Sequence, residues 1–200
     1  MRGDFFMTTI YLVRHGQSQA NEAGIMQGSQ IDTPLTELGK EQALFAKEKL
    51  QGIFFDQSYA SPLKRAKQTA KIITRKDPRL DKRLLEFDYG SWDGQKLSDI
   101  YQKYAQYFDE NYNLLPNSWE ASGGQTYVEV TTKVKSFLTD VQKKHKNETI
   151  LVVSHGFTIK LLVAYLLDIG KLESLNEPAN ASVTKIVLKN DTQTLFYYGK

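Results

Sequence analysis

The chain has 200 residues, which suffice for one domain of ordinary size. Its 26 Lys and Arg residues against 23 Asp and Glu residues give a formal charge of +3, too small to favour nucleic-acid binding by bulk charge. The chain has no cysteine, which excludes disulfides, thiolate zinc sites, iron–sulfur clusters and cysteine nucleophiles. Imidazole chemistry is restricted to three residues, His15, His145 and His155.

No targeting signal is recognised near the N-terminus. Met7 offers an alternative start, in which case residues 1–6 form a loose extension of a single domain spanning residues 1–200. The longest apolar stretch, Leu161–Leu167, falls far short of the roughly 20 residues that span a bilayer. We therefore expect a cytoplasmic protein without a membrane partner.

Strands and helices are predicted to alternate through the first part of the chain. Ile10–Val13 is an apolar run typical of a buried strand, and it leads directly into Arg14-His15-Gly16. Thr36 is a candidate N-cap for a helix that extends to Leu50. The apolar side of this helix is expected to contain Leu38, Phe45, Ala46 and Leu50. A strand over Gln57–Ala60 and a helix over Arg65–Thr74 are predicted next.

Residues 95–122 differ from the rest of the chain because they are rich in aromatic side chains. Helical spacing places Leu97, Tyr101, Tyr104 and Phe108 on one face. One interpretation is an insertion that packs its aromatic side chains on the core. The other is a lid whose aromatic side chains shape a substrate pocket. The two interpretations are compatible if they apply to different residues.

The last part of the chain completes an alternating pattern. It predicts an amphipathic helix over Tyr127–Val141, a strand over Thr149–Val153, a buried helix over Leu161–Leu167, and strands over Val183–Leu188 and Thr194–Tyr198 around an Asn190-Asp191 turn. The expected fold is an α/β three-layer sandwich, with a mostly parallel sheet flanked by helices and a small helical insertion at about 95–122. Ligands of such sheets bind beyond the carboxyl ends of strands, where both His15 and His155 are placed.

Four sequence blocks carry a more specific signal. The first is Arg14-His15-Gly16, followed by Asn21, Gln27-Gly28 and Asp32–Thr36. The others are Ser61–Ala70, Glu86–Gly94 and Val153–Gly156. In this order, over residues 10–160, the blocks resemble the histidine phosphatase superfamily, the phosphoglycerate-mutase-like proteins.

The resemblance implies catalysis through a transient phosphohistidine. It implies His15 as the nucleophile and Arg14 and Arg65 as a phosphate clamp, since guanidinium groups offer paired donors to phosphate oxygens. His155 would donate hydrogen bonds to the phosphoryl group and help to hold His15 neutral. Glu86 would be the general acid.

Other positions have less certain roles. Asp88 and Asp93 compete with Glu86 for the acid role. The resemblance places Asn21, Gln27, Gly28, Tyr89 and Gly156 around the substrate. Gly16 is expected to bring the backbone close to phosphate. His145, within a lysine-rich run, is expected to be exposed and to have no part in the chemistry.

The sequence favours a phosphatase over a mutase. Residues 91–125 contain Lys96 and Lys103 but no arginine that could hold a phosphoglycerate carboxylate, and Gly90–Gly94 resembles the phosphatase branch. Gln125-Thr126 departs from the Glu-Ser of many members but keeps a hydroxyl that can cap a helix.

We expect metal-independent hydrolysis of small phosphorylated metabolites without a cofactor. A mutase and a non-catalytic phospho-ligand binding protein are the alternatives. The oligomeric state is left open, a homodimer included.

Overall fold

The structure, a computed structural model, describes residues 6–190 and 192–200. Residues 1–5 of the expected N-terminal extension and Asp191 of the predicted turn lie outside the described residues.

The described residues form one six-stranded mixed sheet. In chain order its strands are β1 (Met7–Arg14), β2 (Gln57–Ala60), β3 (Arg79–Leu80), β4 (Thr149–Ser154), β5 (Val183–Lys189) and β6 (Gln193–Tyr197). Their order across the sheet is β3-β2-β4-β1-β5-β6. Three neighbouring pairs are parallel, and the two pairs that involve β5 are antiparallel. The prediction of a mostly parallel sheet is therefore confirmed, with an antiparallel edge from the C-terminal strands.

Helices cover both faces of the sheet. They are α1 (Gln19–Glu22), α2 (Glu37–Lys49), α3 (Lys64–Thr74), α4 (Leu97–Lys103), α5 (Trp119–Ser122), α6 (Tyr127–Lys144) and α7 (Gly156–Leu166). Because strand side chains alternate, Ile10 and Leu12 of β1 join the core under α6 and α7, whereas Tyr11 and Val13 join the core under α2 and α3. The predicted three-layer arrangement is confirmed.

The predicted helix N-terminal caps form. The Thr36 hydroxyl accepts a hydrogen bond from the Gly39 amide, and Thr126 forms a capping box with Glu129. The hydroxyl at Thr126 thus caps α6 as expected.

The expected apolar side of α2 is partly wrong. Leu38 and Phe45 are 49% and 58% exposed, whereas Ala46 and Leu50 are buried as predicted. Helix α2 packs closely on its neighbours through small residues such as Ala43, so its large side chains at 38 and 45 face outward.

The prediction that His145 is exposed is also wrong. His145 is 5% exposed, and its ring lies 2.8 Å from both the Tyr59 hydroxyl and a Glu148 carboxylate oxygen. His145 follows the last turn of α6, where the chain turns towards β4, so its side chain points inward although the lysines before it face solvent. It lies outside the constellation at the strand ends.

The aromatic insertion is not one continuous helix. Helix α4 ends at Lys103, a 3₁₀ turn covers Ala105–Tyr107, and Phe108 then pairs with Leu114. Tyr104 packs against the buried Trp92 at a ring-centroid distance of 4.9 Å, as expected for an insertion that covers the core.

Candidate active site

The sheet brings the two glycine-flanked histidines together. Strands β1 and β4 are parallel neighbours in which Arg14 is level with Ser154, so the next residues, His15 and His155, emerge side by side. The His15 amide donates to the Ser154 carbonyl at 3.0 Å, and the two imidazole centroids are 5.1 Å apart. Both rings are buried at the carboxyl edge of the parallel strands, where the sequence placed them.

The hydrogen bonds of His15 define which ring nitrogen carries the proton and which carries the lone pair. Nδ1 lies 2.7 Å from the Gly16 carbonyl oxygen, which can only accept, so Nδ1 carries the proton. Nε2 therefore holds a lone pair, and it accepts from Arg65 Nε at 3.2 Å. Burial, together with the charges of Arg65 and Arg14, holds the pKa of His15 well below 6.5. The ring is neutral at neutral pH, with Nε2 as its electron-rich atom.

His155 has the opposite tautomer to His15, with the proton on Nε2 instead of Nδ1. Its Nδ1 accepts from Arg65 Nε at 3.2 Å, which leaves the proton on Nε2. This Nε2–H is buried and has no hydrogen-bond partner within the described part of the chain. Burial and the Arg65 charge also lower the pKa of His155 well below 6.5. The ring thus presents an uncompensated donor beside His15, as a site for an anionic oxygen requires.

Arg65 is fully buried behind the two imidazoles. Its Nη1 donates to the Ile31 carbonyl at 2.8 Å and its Nη2 to the Gly28 carbonyl at 3.1 Å. Burial lowers the pKa of Arg65 to about 10, so the guanidinium stays charged at neutral pH. Arg65 therefore adds positive charge and orients both rings through Nε, while its Nη atoms are held by backbone carbonyls.

Arg14 belongs to the same constellation but remains partly exposed. Its Nη1 donates to the Pro178 carbonyl at 2.7 Å and lies 3.5 Å from Glu177 Oε2. Its Nε is buried without a hydrogen-bond partner among the described residues. Arg14 thus retains a buried donor for an anion at the site.

Glu86 is held at the N-terminus of α7 near the histidines. Its Oε1 accepts from the Phe87 amide at 2.9 Å, the Thr158 amide at 3.1 Å and the Thr158 hydroxyl at 3.0 Å. Burial, and after it the charge of Glu177, raise the pKa of Glu86 to about 7, although the two arginines oppose this rise. A carboxyl with this pKa can both give and take a proton at neutral pH.

The competing carboxyls, Asp88 and Asp93, hold loops instead. Asp88 accepts from the Gln30 side-chain amide at 2.7 Å, and Asp93 accepts from the Gly28 amide at 2.5 Å. Unlike Glu86, neither lines the cavity beside His15. The geometry favours Glu86 as the acid.

A cavity of about 180 Å³ opens beside His15 and Glu86. Asn21, Gln27 and Tyr89, which the resemblance placed around the substrate, are among its lining residues. The insertion contributes one wall, made of Leu97, Tyr101, Phe108, Tyr112 and Leu114. These residues line the cavity, and some of them also pack on the core, since Phe108 stacks on Trp92 at 5.8 Å and Leu114 is buried.

Three glycines allow close packing around the site. A Cβ at Gly28 would lie 2.4 Å from the Phe87 carbonyl oxygen, and one at Gly156 would lie 2.2 Å from Glu177 Oε2. Neither glycine is in the cavity lining itself. A Cβ at Gly16 would lie 2.1 Å from the Gly39 carbonyl oxygen, so Gly16 admits the first turn of α2. This contact explains the glycine without the phosphate approach that the sequence suggested.

Sequence reasoning missed the segment just before β5. Glu177 lines the cavity, Pro178 accepts from Arg14, and the Asn180 side chain donates to the His15 carbonyl at 3.0 Å. The segment is irregular and carries no periodicity. Its place follows only from topology, because an antiparallel strand begins where its neighbour, β1, ends.

The described residues hold neither a metal-binding cluster nor a membrane-spanning helix. They contain no group of three or more histidine, aspartate or glutamate side chains placed to hold a metal ion. None of their helices is long and apolar enough to cross a bilayer.

The comparisons with known proteins agree with this geometry. The family model of the histidine phosphatase superfamily (branch 1) matches residues 10–199. Phosphoserine phosphatase 1 of Hydrogenobacter thermophilus is 36% identical over 82% of this chain and 78% of its own. A metal-independent phosphoserine phosphatase of Arabidopsis thaliana is 31% identical over 92% of this chain and 78% of its own.

The relatives include a mutase as well as phosphatases. A probable phosphoglycerate mutase of Salmonella choleraesuis is 30% identical over 82% of this chain and 76% of its own. The solved structure of Bacillus stearothermophilus YhfR matches with a TM-score of 0.86 and 31% identity, covering 96% of this chain and 97% of that one. The four sequence blocks predicted the superfamily, and the chain belongs to the histidine phosphatase superfamily (branch 1).

Proposed function

We propose that this protein is a metal-independent phosphomonoesterase that hydrolyses small phosphorylated metabolites through a phosphohistidine at His15. One observation carries the proposal. The lone pair on His15 Nε2 lies in a buried, positively charged site that shares a cavity with a carboxyl whose pKa is raised to about 7. Phosphoryl transfer needs this combination of nucleophile, positive charge and proton donor.

The first half-reaction transfers the phosphoryl group to the protein. His15 Nε2 uses its lone pair to form a P–N bond while the bond between phosphorus and the leaving oxygen breaks. Protonated Glu86 gives its proton to that oxygen. The phosphoryl oxygens accept hydrogen bonds from the Nε2–H of His155 and from Arg14, and the Arg65 charge stabilises them.

The second half-reaction returns the site to its initial state. Water attacks phosphorus, and the Glu86 carboxylate takes a proton from it. The P–N bond breaks, inorganic phosphate leaves, and His15 recovers its neutral ring with the lone pair on Nε2. The proton that Glu86 lost in the first step is thereby replaced, so no net proton change remains on the protein.

Hydrolysis is favoured over mutase activity by the cavity wall. The insertion contributes aliphatic and aromatic side chains, and Arg14 is the one arginine or lysine among the described residues that line the cavity. A mutase must hold a phosphoglycerate carboxylate in addition to the phosphoryl group, which calls for a second cation. Mutase activity remains the second candidate, because relatives with mutase names exist.

The same wall favours substrates with an apolar or ring-bearing leaving group over substrates with extra phosphates. Tyr101, Phe108 and Tyr112 offer aromatic surface next to the reaction site. The phosphoserine phosphatases among the relatives make phosphoserine a natural member of the test panel. Metal independence is supported by the relative of that name and by arginines that supply the positive charge.

The proposal includes a single catalytic domain that acts in the cytoplasm. A cytoplasmic location is supported by the substrate class, since charged phosphomonoesters do not cross a bilayer readily. The substrate itself is the proposed partner.

Hydrolysis of p-nitrophenyl phosphate, measured with and without a chelator, tests the proposal. We expect turnover that chelator leaves unchanged and that His15→Asn abolishes. Loss of turnover in chelator, with recovery on adding Zn²⁺ or Mg²⁺, would overturn metal independence. Incubation with 3-phosphoglycerate and a bisphosphoglycerate primer should form no 2-phosphoglycerate. Its formation would identify a mutase.

A further inference from the structure

Glu177 lies in the wall of the active-site cavity but has no part in the proposed chemistry. Its Oε2 is 3.5 Å from Arg14 Nη1, and its side chain is 37% exposed. The segment that carries it is anchored at the site, because Arg14 donates to the Pro178 carbonyl. A negative charge is thus held at the rim of the phosphate site.

The absence of a side chain at Gly156 leaves room for the Glu177 carboxylate next to the backbone of α7. Gly156, the first residue of α7, lies so close that any Cβ there would be 2.2 Å from Glu177 Oε2. Glu177 therefore lies between Arg14 and the N-terminus of an 11-residue helix, and both of these favour a negative charge. The carboxylate position follows from these contacts, although the side chain is partly exposed.

The charge of Glu177 reaches both sides of the path that a leaving group must take. It contributes to the raised pKa of Glu86 on the reaction side. It contributes also to the raised pKa of Tyr101, behind the larger effect of burial, on the insertion side. A leaving group bound between Glu86 and the insertion would therefore experience this charge.

No second cation lines the described part of the cavity beside it, although the buried Lys160 ammonium, outside the lining, interacts with its charge. Arg14 is the one lysine or arginine of the described cavity lining, and the phosphoryl group occupies its free donor in the proposed reaction. A second anionic group on the substrate would meet Glu177 without a partner, and such like-charge placement is costly. An ammonium group would meet Glu177 and the aromatic side chains of Tyr101 and Tyr112, a residue type that attracts cations.

We propose that Glu177 determines specificity by charge, selecting phosphomonoesters with a neutral or ammonium-bearing leaving group over those with a second anionic group. This inference rests on the proposed phosphatase function and extends it from the reaction to the class of substrate. It assigns Glu177 a role in substrate choice, separate from the transfer step.

A matched pair of substrates tests it. O-Phosphoethanolamine and 2-phosphoglycolate are both two-carbon alkyl phosphates, and they differ in carrying an ammonium or a carboxylate. We expect the protein to prefer phosphoethanolamine in kcat/KM, and Glu177→Gln to lower that preference by about tenfold or more, as removal of one nearby charge predicts. Glu173→Gln is the control, since it removes the same charge from the preceding 3₁₀ turn, outside the cavity lining.

The outcomes separate this inference from the proposed function. A preference for phosphoglycolate, or a ratio that Glu177→Gln and Glu173→Gln change equally, would overturn the role of Glu177. Absence of hydrolysis of every phosphomonoester would instead overturn the phosphatase proposal. In that case the dissociation constants of the two compounds for the wild type and Glu177→Gln, measured by calorimetry, still test charge selection.

Discussion

Replacing Glu86 with glutamine should make the protein more stable and less active. The short hydrogen bonds to this side chain end on Oε1, and a glutamine carbonyl, with two lone pairs, can still accept from the Phe87 and Thr158 amides. The Thr158 hydroxyl keeps its 2.8 Å hydrogen bond to the Leu85 carbonyl. Only the Phe157 amide, 3.4 Å from Oε2, would face an NH₂ group instead. The substitution therefore removes the charge and the transferable proton while it preserves most of the local contacts.

The stability effect follows from the raised pKa of Glu86. A carboxyl whose pKa rises from 4.5 to about 7 on folding lowers the free energy of unfolding by about 3 kcal/mol once it is ionised in both states. This cost is absent below pH 4.5, grows between pH 4.5 and 7, and is complete above pH 7. Urea unfolding should show Glu86→Gln to be more stable than the wild type by up to about 3 kcal/mol at pH 8 and equal to it at pH 4.

The activity effect depends on the leaving group. Glu86→Gln should slow hydrolysis of an alkyl phosphate by about a hundredfold to ten-thousandfold, because the alkoxide needs a proton. It should slow p-nitrophenyl phosphate far less, because nitrophenolate leaves without one. Asp88→Asn, which changes a carboxyl outside the cavity, should preserve the wild-type ratio of the two rates. Equal slowing of both substrates by Glu86→Gln, or its destabilisation at pH 8, would refute the assignment.

Three further outcomes are expected. In a pH–rate profile with an alkyl phosphate, kcat/KM should fall above pH about 7 as Glu86 ionises. The acid limb should lie well below pH 6.5, because the lowered pKa of His15 keeps its ring neutral there. An acid limb at pH 6.5 would contradict the neutral state of His15. Lys160→Met removes the 2.9 Å hydrogen bond from a buried ammonium to the Asn113 side chain in the insertion. In steady-state assays KM should rise several-fold with little change in kcat. An unchanged KM would show that this hydrogen bond does not position the cavity wall. His145→Ala should lower the free energy of unfolding by about 2 kcal/mol in urea titrations and leave kcat/KM unchanged, whereas loss of activity in a folded variant would give this residue a role at the site.

Local patterns in the sequence predicted most of the fold and the inner part of the site. Apolar runs and helical spacing are local properties, so β1, α3 and α6 were found with small errors at their ends. His15 and His155 could be placed together because parallel strands end at one edge of a sheet. These inferences need no knowledge of how the layers pack.

Tertiary packing decided the rest. Phe45 is exposed and His145 is buried because neighbouring elements set which side of each helix faces inward, and no local pattern encodes that choice. Glu177 was missed because its loop reaches the site only through the antiparallel placement of β5. The split of the aromatic insertion into packing and cavity residues likewise depends on contacts distant in sequence, such as that between Tyr104 and Trp92.

The central claim is that His15 carries the phosphoryl group during turnover. Rapid mixing with a ³²P-labelled phosphomonoester, followed by a denaturing quench and peptide mapping, measures this directly. The account predicts an acid-labile, base-stable label on the peptide that contains His15, up to one phosphate per chain, and none in His15→Asn. A label on His155, or hydrolysis that proceeds with no labelled protein at any time, would contradict it.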